Sequence, residues 1–186
     1  KKPVEKIIKE IIYVQSLGIN DILFYSEIFT FDKDYVKKIC TSIIQNKIKI
    51  NWMCNSRVDT VDFELLSIMK KAGCWLISYG IESNNQTILN NSRKNYILSQ
   101  AKKAIDMTNK AGLLSIGHFI LGLPGDNEKT VTETITFSKE IGVDFALYYN
   151  ATPFPGSELY EQTKNQKWEN LEYRQNTINA NLDLVK

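Results

Sequence analysis

The sequence predicts an α/β protein in which an opening helix is followed by five strand–helix units that build a parallel sheet. Three observations carry that expectation. A helix-to-strand junction recurs four times, as Leu17-Gly18-Ile19, Ala72-Gly73-Cys74, Ala111-Gly112-Leu113 and Ile141-Gly142-Val143. Each copy follows a charged run with helical periodicity and precedes a stretch with β-forming residues and few charges. The copies are spaced as βαβ crossovers require, and such crossovers make consecutive strands parallel.

The elements follow in order. Val4–Leu17 is a helix with Val4, Ile7, Ile8, Ile11, Ile12 and Val14 broadly on one face. Gly18 then stands where a left-handed residue closes the last helical turn. Asp21–Tyr25 is the first strand and Tyr35–Ile44 the next helix. Asn46, which tolerates the left-handed conformation, introduces a second strand, Lys47–Cys54. Phe63–Met69, Ala101–Met107 and Val131–Ile141 are the further helices, with Ser99 and Asp126 at N-cap positions. The remaining strands are Trp75–Gly80, Leu114–Leu121 and Asp144–Tyr149. Five strands are too few for a closed eight-stranded barrel, which usually takes ~250 residues. An open doubly wound sheet and an incomplete barrel both remain. A chain opening on a helix with no strand before it reads as a domain whose first β/α unit is missing.

Composition narrows the function. With 186 residues, 43% hydrophobic and 24% charged, the chain is one ordinary globular domain rather than a disordered tail, a collagen repeat or a coiled coil. Residues 1–186 form that single domain, and 161–186 are its C-terminal helix or tail. The net charge of +2, without a Lys/Arg stripe, argues against a nucleic-acid partner. No run of ~18 apolar residues suggests a membrane span. Cys40, Cys54 and Cys74 lack metal-ligand spacing, leave an odd thiol and read as small buried hydrophobes in a reducing, cytoplasmic compartment. A single histidine excludes a His-based metal cluster, and Gly122-Leu123-Pro124-Gly125 lacks the spacing and Lys-Ser/Thr of a phosphate loop.

Active sites of β/α folds gather at the C-terminal strand ends. Those ends carry Ser26-Glu27, Asn55-Ser56-Arg57-Val58-Asp59, Gly80-Ile81-Glu82-Ser83, Gly122-Leu123-Pro124-Gly125 and Asn150. Strand alternation places Asn51, Met53 and Asn55 on one face, His118 with Ile116 and Ile120, and Ser78 with Gly80 and Glu82. A polar inner face makes a poor core and a good pocket wall. His118, Asn51, Asn55 and Arg57 are therefore the candidate substrate-facing residues. Plainer readings stand beside these: Glu27 and Glu82 as helix-entry acids, Arg57 and Asp59 as a rim ion pair, His118 as a satisfied polar residue. Tyr79, Tyr148 and Phe154 fit either a planar substrate or simple packing.

Taken in order, the strand-end motifs resemble a known family. Tyr25-Ser26-Glu27-Ile28-Phe29-Thr30, Cys54-Asn55-Ser56-Arg57-Val58-Asp59, Met69-Lys70-Lys71-Ala72-Gly73-Cys74, Tyr79-Gly80-Ile81-Glu82-Ser83, Gly117-His118-Phe119-Ile120-Leu121-Gly122-Leu123-Pro124-Gly125-Asp126 and Thr152-Pro153-Phe154-Pro155-Gly156-Ser157 look like radical S-adenosylmethionine (radical SAM) enzymes. The resemblance is to the branch whose members often carry a cobalamin-binding domain. It implies a partial (β/α)6 radical SAM barrel, here missing its first strand, that holds SAM and a [4Fe–4S] cluster. It implies reductive cleavage of SAM to a 5′-deoxyadenosyl radical for chemistry on a small-molecule substrate, with flavodoxin or ferredoxin as electron donor. By the same resemblance Glu82 and Ser83 contact the ribose or methionine part of SAM, and Lys94 pairs with its carboxylate. Ile120 and Gly122 pack on adenine, and Glu27 lies near the position that meets the methionine amino group.

Two departures stand out. The branch usually reads Asp-Asp or Asp-Glu where this chain has Ser26-Glu27, and the family's C-x3-C-x2-C cluster run is absent. The missing first strand and the missing cysteines are expected together upstream of Lys1, so the metal ligands are not in this chain. A non-catalytic degenerate barrel serving as a SAM-binding or protein-interaction scaffold is the competing reading. A β/α hydrolase or aldolase fragment is a third, disfavoured by the lack of a nucleophile–base pair. A barrel without its first strand leaves the next one unpaired, which predicts self-association through Leu23-Phe24-Tyr25.

Overall fold

The computed structural model describes residues 1–163 and 178–181. Helix α1 (Val4–Ser16) leads into β1 (Asp21–Phe24), a short 3-10 turn (Phe29–Phe31) and α2 (Lys33–Gln45). Strand β2 (Asn51–Ser56), α3 (Phe63–Lys71), β3 (Cys74–Glu82) and the short α4 (Gln86–Asn91) follow. The rest is α5 (Leu98–Lys110), β4 (Leu114–Leu121), α6 (Glu128–Glu140), β5 (Phe145–Asn150), α7 (Glu158–Thr163) and β6 (Ile178–Asn181).

The sheet runs β1-β2-β3-β4-β5-β6. Its first five strands are parallel, and β6 pairs antiparallel with β5. That order decides between the two architectures the sequence leaves open. A doubly wound sheet reverses strand order at a switch point and puts helices on both faces. Strands laid down in chain order keep every right-handed crossover on one side. The result is the arc of an incomplete barrel, with helices outside and a free inner face. Most of residues 161–186, expected as a helix or tail, lie outside the described residues; the parts described are the end of α7 and the strand β6.

Alternation sorts the two faces. Trp52, Cys54, Ile77, Tyr79, Phe119 and Ala146 point toward the helices and are fully buried there with Ile39, Leu65, Met69 and Ile105. Each large side chain of this kind contributes about 1.5–3 kcal/mol. Two polar groups in this layer are satisfied locally: Trp52 Nε1 donates to the Ala72 carbonyl at 2.8 Å, and the Tyr79 and Thr108 hydroxyls lie 2.9 Å apart. All three cysteines are buried in this layer and unpaired. Burial pushes the Cys40 thiol up to about 12.

The four junction glycines all adopt positive φ. Gly73, at φ +93°, has no alternative, because a Cβ there would sit 1.9 Å from the Ile50 carbonyl oxygen. Several local expectations are corrected. Asn46 ends α2 at φ −79°, and it is Lys47 that turns left-handed at φ +54°. The second strand accordingly begins at Asn51, not Lys47. Ile12 is half exposed although its helix buries Ile8 and Ile11. Ser99 lies inside α5, whose first turn is capped by Gln100 and Gln86 side chains accepting from Ile97 N and Leu98 N. Asn127 rather than Asp126 caps α6. Asp126 instead clasps the preceding turn, accepting from Gly122 N, Leu123 N and the Thr130 hydroxyl at 2.7–3.0 Å.

Candidate functional site

At the C-terminal end of the arc, β2, β3 and β4 and the loops after them enclose a cavity of about 380 Å³. Asn55, Arg57, Glu82, Lys94 and His118 line it, with Glu27 at its edge, so six of the residues singled out from the sequence meet there. Ser78, Gly80 and Tyr96 complete much of the wall.

Backbone strain is concentrated at this cavity. Four non-glycine residues among those described have positive φ, and three of them, Glu82 (+67°), Arg93 (+54°) and Asn95 (+50°), present one ion pair. Glu82 sits where the β3–β4 register shifts between Gly80 and Glu82. The bulge re-aims its carboxylate toward the cavity, as bulges beside functional sites do. Arg93 and Asn95 flank Lys94 and thrust it inward. Lys94 Nζ lies 2.6 Å from Glu82 Oε1, and the Glu82 side chain is only 8% exposed. Strain of ~1–3 kcal/mol per residue persists only where the surroundings over-determine it. Gly80 leaves room for the Glu82 carboxylate, since a Cβ on it would lie 2.7 Å from Glu82 Oε1.

A second charged pair stands beside the first. Arg57 holds Asp59 through two bonds of 2.9 Å, and its Nη2 also donates to the Lys94 carbonyl at 2.8 Å. The guanidinium keeps the Asp59 carboxyl below the usual carboxylate range. Arg57 thus forms the rim ion pair and also lines the cavity wall, where it fixes the Lys94 loop. Tyr96, missed in the sequence, buries its ring beneath this loop and donates to the Ile81 carbonyl.

The inner wall is polar further down. His118 places Nε2 against the Ser78 hydroxyl and Nδ1 2.9 Å from the Tyr149 hydroxyl. The Tyr149 ring stacks on the imidazole with centroids 5.5 Å apart. Burial holds the His118 pKa below its ordinary value, although Glu82 pulls the other way. Tyr149 is not among the residues the sequence singles out; its register opposite Ile120, on the face of His118, is the signal that identifies it.

The remaining candidates lie elsewhere. Asn51 is exposed at the opposite end of β2, donating to Asp21 Oδ1 at 3.0 Å. Ser83 is fully buried behind the wall, where its hydroxyl accepts from Asn85 N and approaches the Thr134 hydroxyl. Ile120 shares the His118 face above it, and Gly122, at φ +83°, leaves the space beside its backbone empty. Glu27 stands on an exposed turn fastened from behind by the hydroxyls of Thr30, Ser56 and Thr60. Tyr79 and Tyr148 face the helices and Phe154 is exposed, so none of the three is a cavity aromatic.

The donor set suits one of the expected groups and not the other. Carboxylates at Glu27 and Glu82 and cations at Lys94 and Arg57 line one cavity, Lys94 paired with Glu82 and Arg57 with Asp59, and this mixed set complements the ammonium and carboxylate of an amino-acid zwitterion such as the methionine part of SAM. An iron–sulfur cluster has no such place. Among the described residues no group of three or more His, Cys, Asp or Glu side chains could hold a metal ion, and the cysteines are sealed in the core.

Comparison with known proteins identifies the family and agrees with the fold. The model of the radical SAM superfamily matches residues 1–138. An uncharacterized methyltransferase of Pyrococcus horikoshii is 35% identical over 159 residues, covering 85% of this chain and 35% of the relative. The anaerobic magnesium-protoporphyrin IX monomethyl ester cyclase of Rubrivivax gelatinosus is 27% identical over 161 residues, covering 85% and 29%. This chain thus spans about a third of the length of the curated relatives it matches. Among solved structures, the radical S-adenosylmethionine methyltransferase TsrM of Kitasatospora setae, with cobalamin and a [4Fe–4S] cluster bound, superposes with a TM-score of 0.77 at 13% identity, covering 83% of this chain and 32% of that one.

Proposed function

The chain belongs to the radical SAM superfamily, and on that premise we propose that it is the barrel domain, over residues 1–186, of a radical SAM enzyme. The observation that carries the reading is the strained Glu82–Lys94 pair at the mouth of a cavity that Arg57 and Glu27 also line. Lys94 would give its charge to the methionine carboxylate, Glu82 and Glu27 would take the ammonium and ribose hydroxyls, and Gly122 and Ile120 would border the adenine. Asn55 and His118, deeper along the same face, would meet the substrate. The activity is reductive cleavage of SAM to a 5′-deoxyadenosyl radical that takes a hydrogen atom from a small molecule.

The described residues do not hold the cluster, so its cysteines are proposed to lie in the full-length protein upstream of Lys1. That matches a chain covering a third of its relatives. Methyl transfer with cobalamin on a neighbouring domain is the outcome favoured by the relatives' names. No helix among the described residues is long and apolar enough to cross a membrane, and the three free thiols favour a cytoplasmic location. A flavodoxin or ferredoxin would supply the electron. Leu23 on the outermost strand β1 is 47% exposed and Tyr25, just beyond its end, 89%, which supports self-association of the isolated chain through that edge.

The test is anaerobic reconstitution of the full-length protein with iron and sulfide, reduction, addition of SAM and assay of 5′-deoxyadenosine. Product is expected and should drop at least tenfold in Lys94→Gln. A folded protein that gains no cluster absorbance and forms no product would transfer the reading to a scaffold.

A further inference from the structure

The inner wall carries three groups that SAM binding does not use. Ser78, His118 and Tyr149 come from three adjacent strands, β3, β4 and β5, and lie on the same face of the arc. They are linked in one line by hydrogen bonds, Ser78 Oγ to His118 Nε2 and His118 Nδ1 to Tyr149 Oη. The line is diagonal. Ser78 pairs in register with Ile116 and Asn55, His118 stands one step higher opposite Gly80, and Tyr149 stands higher again opposite Ile120. It climbs from the floor of the cavity toward its mouth.

We propose that Ser78, His118 and Tyr149 form a proton relay, which carries a proton between a substrate O–H or N–H held at the cavity floor and solvent at the mouth. The inference rests on reading the cavity as the reaction chamber. Its chemical basis is the identity of the two partners. A histidine held by a carboxylate or a backbone carbonyl has its tautomer fixed, because that partner only accepts. Here both partners are hydroxyls, which donate and accept alike, so either tautomer satisfies all the bonds. Asn55 beside Ser78 adds an amide that can orient the substrate group.

Each transfer moves one proton across one hydrogen bond. The substrate O–H or N–H bond breaks and its electron pair stays on the substrate. Ser78 Oγ receives that proton and passes its own to His118 Nε2. His118 releases the Nδ1 proton to Tyr149 Oη, and Tyr149 releases its proton to water. No group in the chain changes composition, and only the imidazole tautomer and the hydroxyl orientations are reversed. No electron is transferred. The substrate class that follows is a molecule bearing a hydroxyl or amine beside the carbon that reacts.

The charged groups around the imidazole suit this role. Glu82 on β3 is the charge that acts on both His118 and Tyr149, and Lys94 already neutralises it. Burial then dominates and keeps the imidazole uncharged at neutral pH, which a tautomer-switching relay needs and an imidazolium would block.

His118 is the only histidine in the 186 residues, so labelling the chain with ¹⁵N-histidine gives one imidazole to observe by long-range ¹H–¹⁵N NMR. The relay predicts a neutral ring at pH 7 with both tautomers populated. Tyr149→Phe should shift it at least threefold toward the Nε2–H form, which can still donate to Ser78, and Ser78→Ala should shift it equally toward Nδ1–H. A ring locked in one tautomer, answering to neither substitution or to only one, overturns the proposal. If the isolated chain does not give a folded spectrum, the same label in the full-length protein, assigned by difference from His118→Gln, decides between these outcomes. SAM cleavage is assayed separately, in the full-length protein without substitutions. Loss of cleavage in the wild type would count against the radical SAM reading, whereas tautomer data alone judge the relay.

Discussion

Replacing Lys94 by Gln isolates the energy of the ion pair at the cavity mouth. The pair is 2.6 Å long, with the Glu82 side chain 8% and the Lys94 side chain 35% exposed. Two unit charges at contact near a protein surface attract by about 4 kcal/mol. Breaking a fully buried pair costs ~3–5 kcal/mol, whereas exposed pairs contribute under ~1 kcal/mol. This pair, closed at one end and open at the other, should cost about 2 kcal/mol to break. With a urea slope of roughly 2 kcal/mol/M, the unfolding midpoint falls by about 1 M. Glu82→Gln should cost less, because it removes the buried charge rather than stranding it. The double variant should recover about 1–2 kcal/mol relative to the sum of the single changes. Urea denaturation at pH 7 of the four proteins completes the cycle. Single effects that add to within ~0.5 kcal/mol would refute the coupling. The position of Lys94 would then be owed to its backbone bond to Leu89 O and to the Arg57 contact alone.

Four more expectations follow from the same structure. Because burial lowers the His118 pKa from 6.5, the unfolded chain binds more protons below that value. Stability is therefore complete above about pH 6.5 and declines as pH falls toward the native pKa. His118→Gln should lack this component, and parallel thermal-stability profiles of the two proteins from pH 7.5 to 5 would contradict it. Gly73→Ala should cost about 3 kcal/mol or more, read as lost soluble expression or a lowered Tm, because its Cβ collides with the Ile50 carbonyl. Gly80→Ala should barely change stability, since the nearest atom is the end of the Glu82 side chain. It should nevertheless weaken SAM binding about tenfold by calorimetry, equivalent to ~1.4 kcal/mol, and unchanged affinity would separate Glu82 from the ligand. Iodoacetamide at pH 8 should alkylate none of the three buried cysteines in the native chain and all three in urea.

How much of this was legible follows from what each feature depends on. The five parallel strands and the helices between them were recovered nearly in place, and Leu114–Leu121 to the residue, because Gly junctions and apolar periodicity are local signals; the short α4 and the antiparallel β6 were not expected. The choice between barrel arc and doubly wound sheet did not follow from these local signals, since strand order is a non-local property; it came from the family resemblance, and the sheet order agrees with it. Ser99 and Asp126 looked like caps by type, but Gln100, Gln86 and Asn127 win by geometry. Strand parity brought His118, Asn55 and Glu82 to one wall. It failed for Asn51, which has the right face but the wrong end; Ser83, expected at the site from the family resemblance, is buried behind the wall. The Glu82–Lys94 pair could not be foreseen. It depends on three left-handed residues whose side chains give no hint of that backbone.

The two-sided character of β2 to β5 has a consequence for how this domain can change over time. Residues that stabilise it, such as Trp52, Tyr79 and Phe119, and residues that would meet a ligand, such as Asn55, Ser78 and His118, alternate along the same strands but point in opposite directions. A substitution on the concave side leaves the helix-facing layer untouched, so its effect on folding is small and its effect on recognition is direct. New substrates can be explored one position at a time, by descendants that are all still folded.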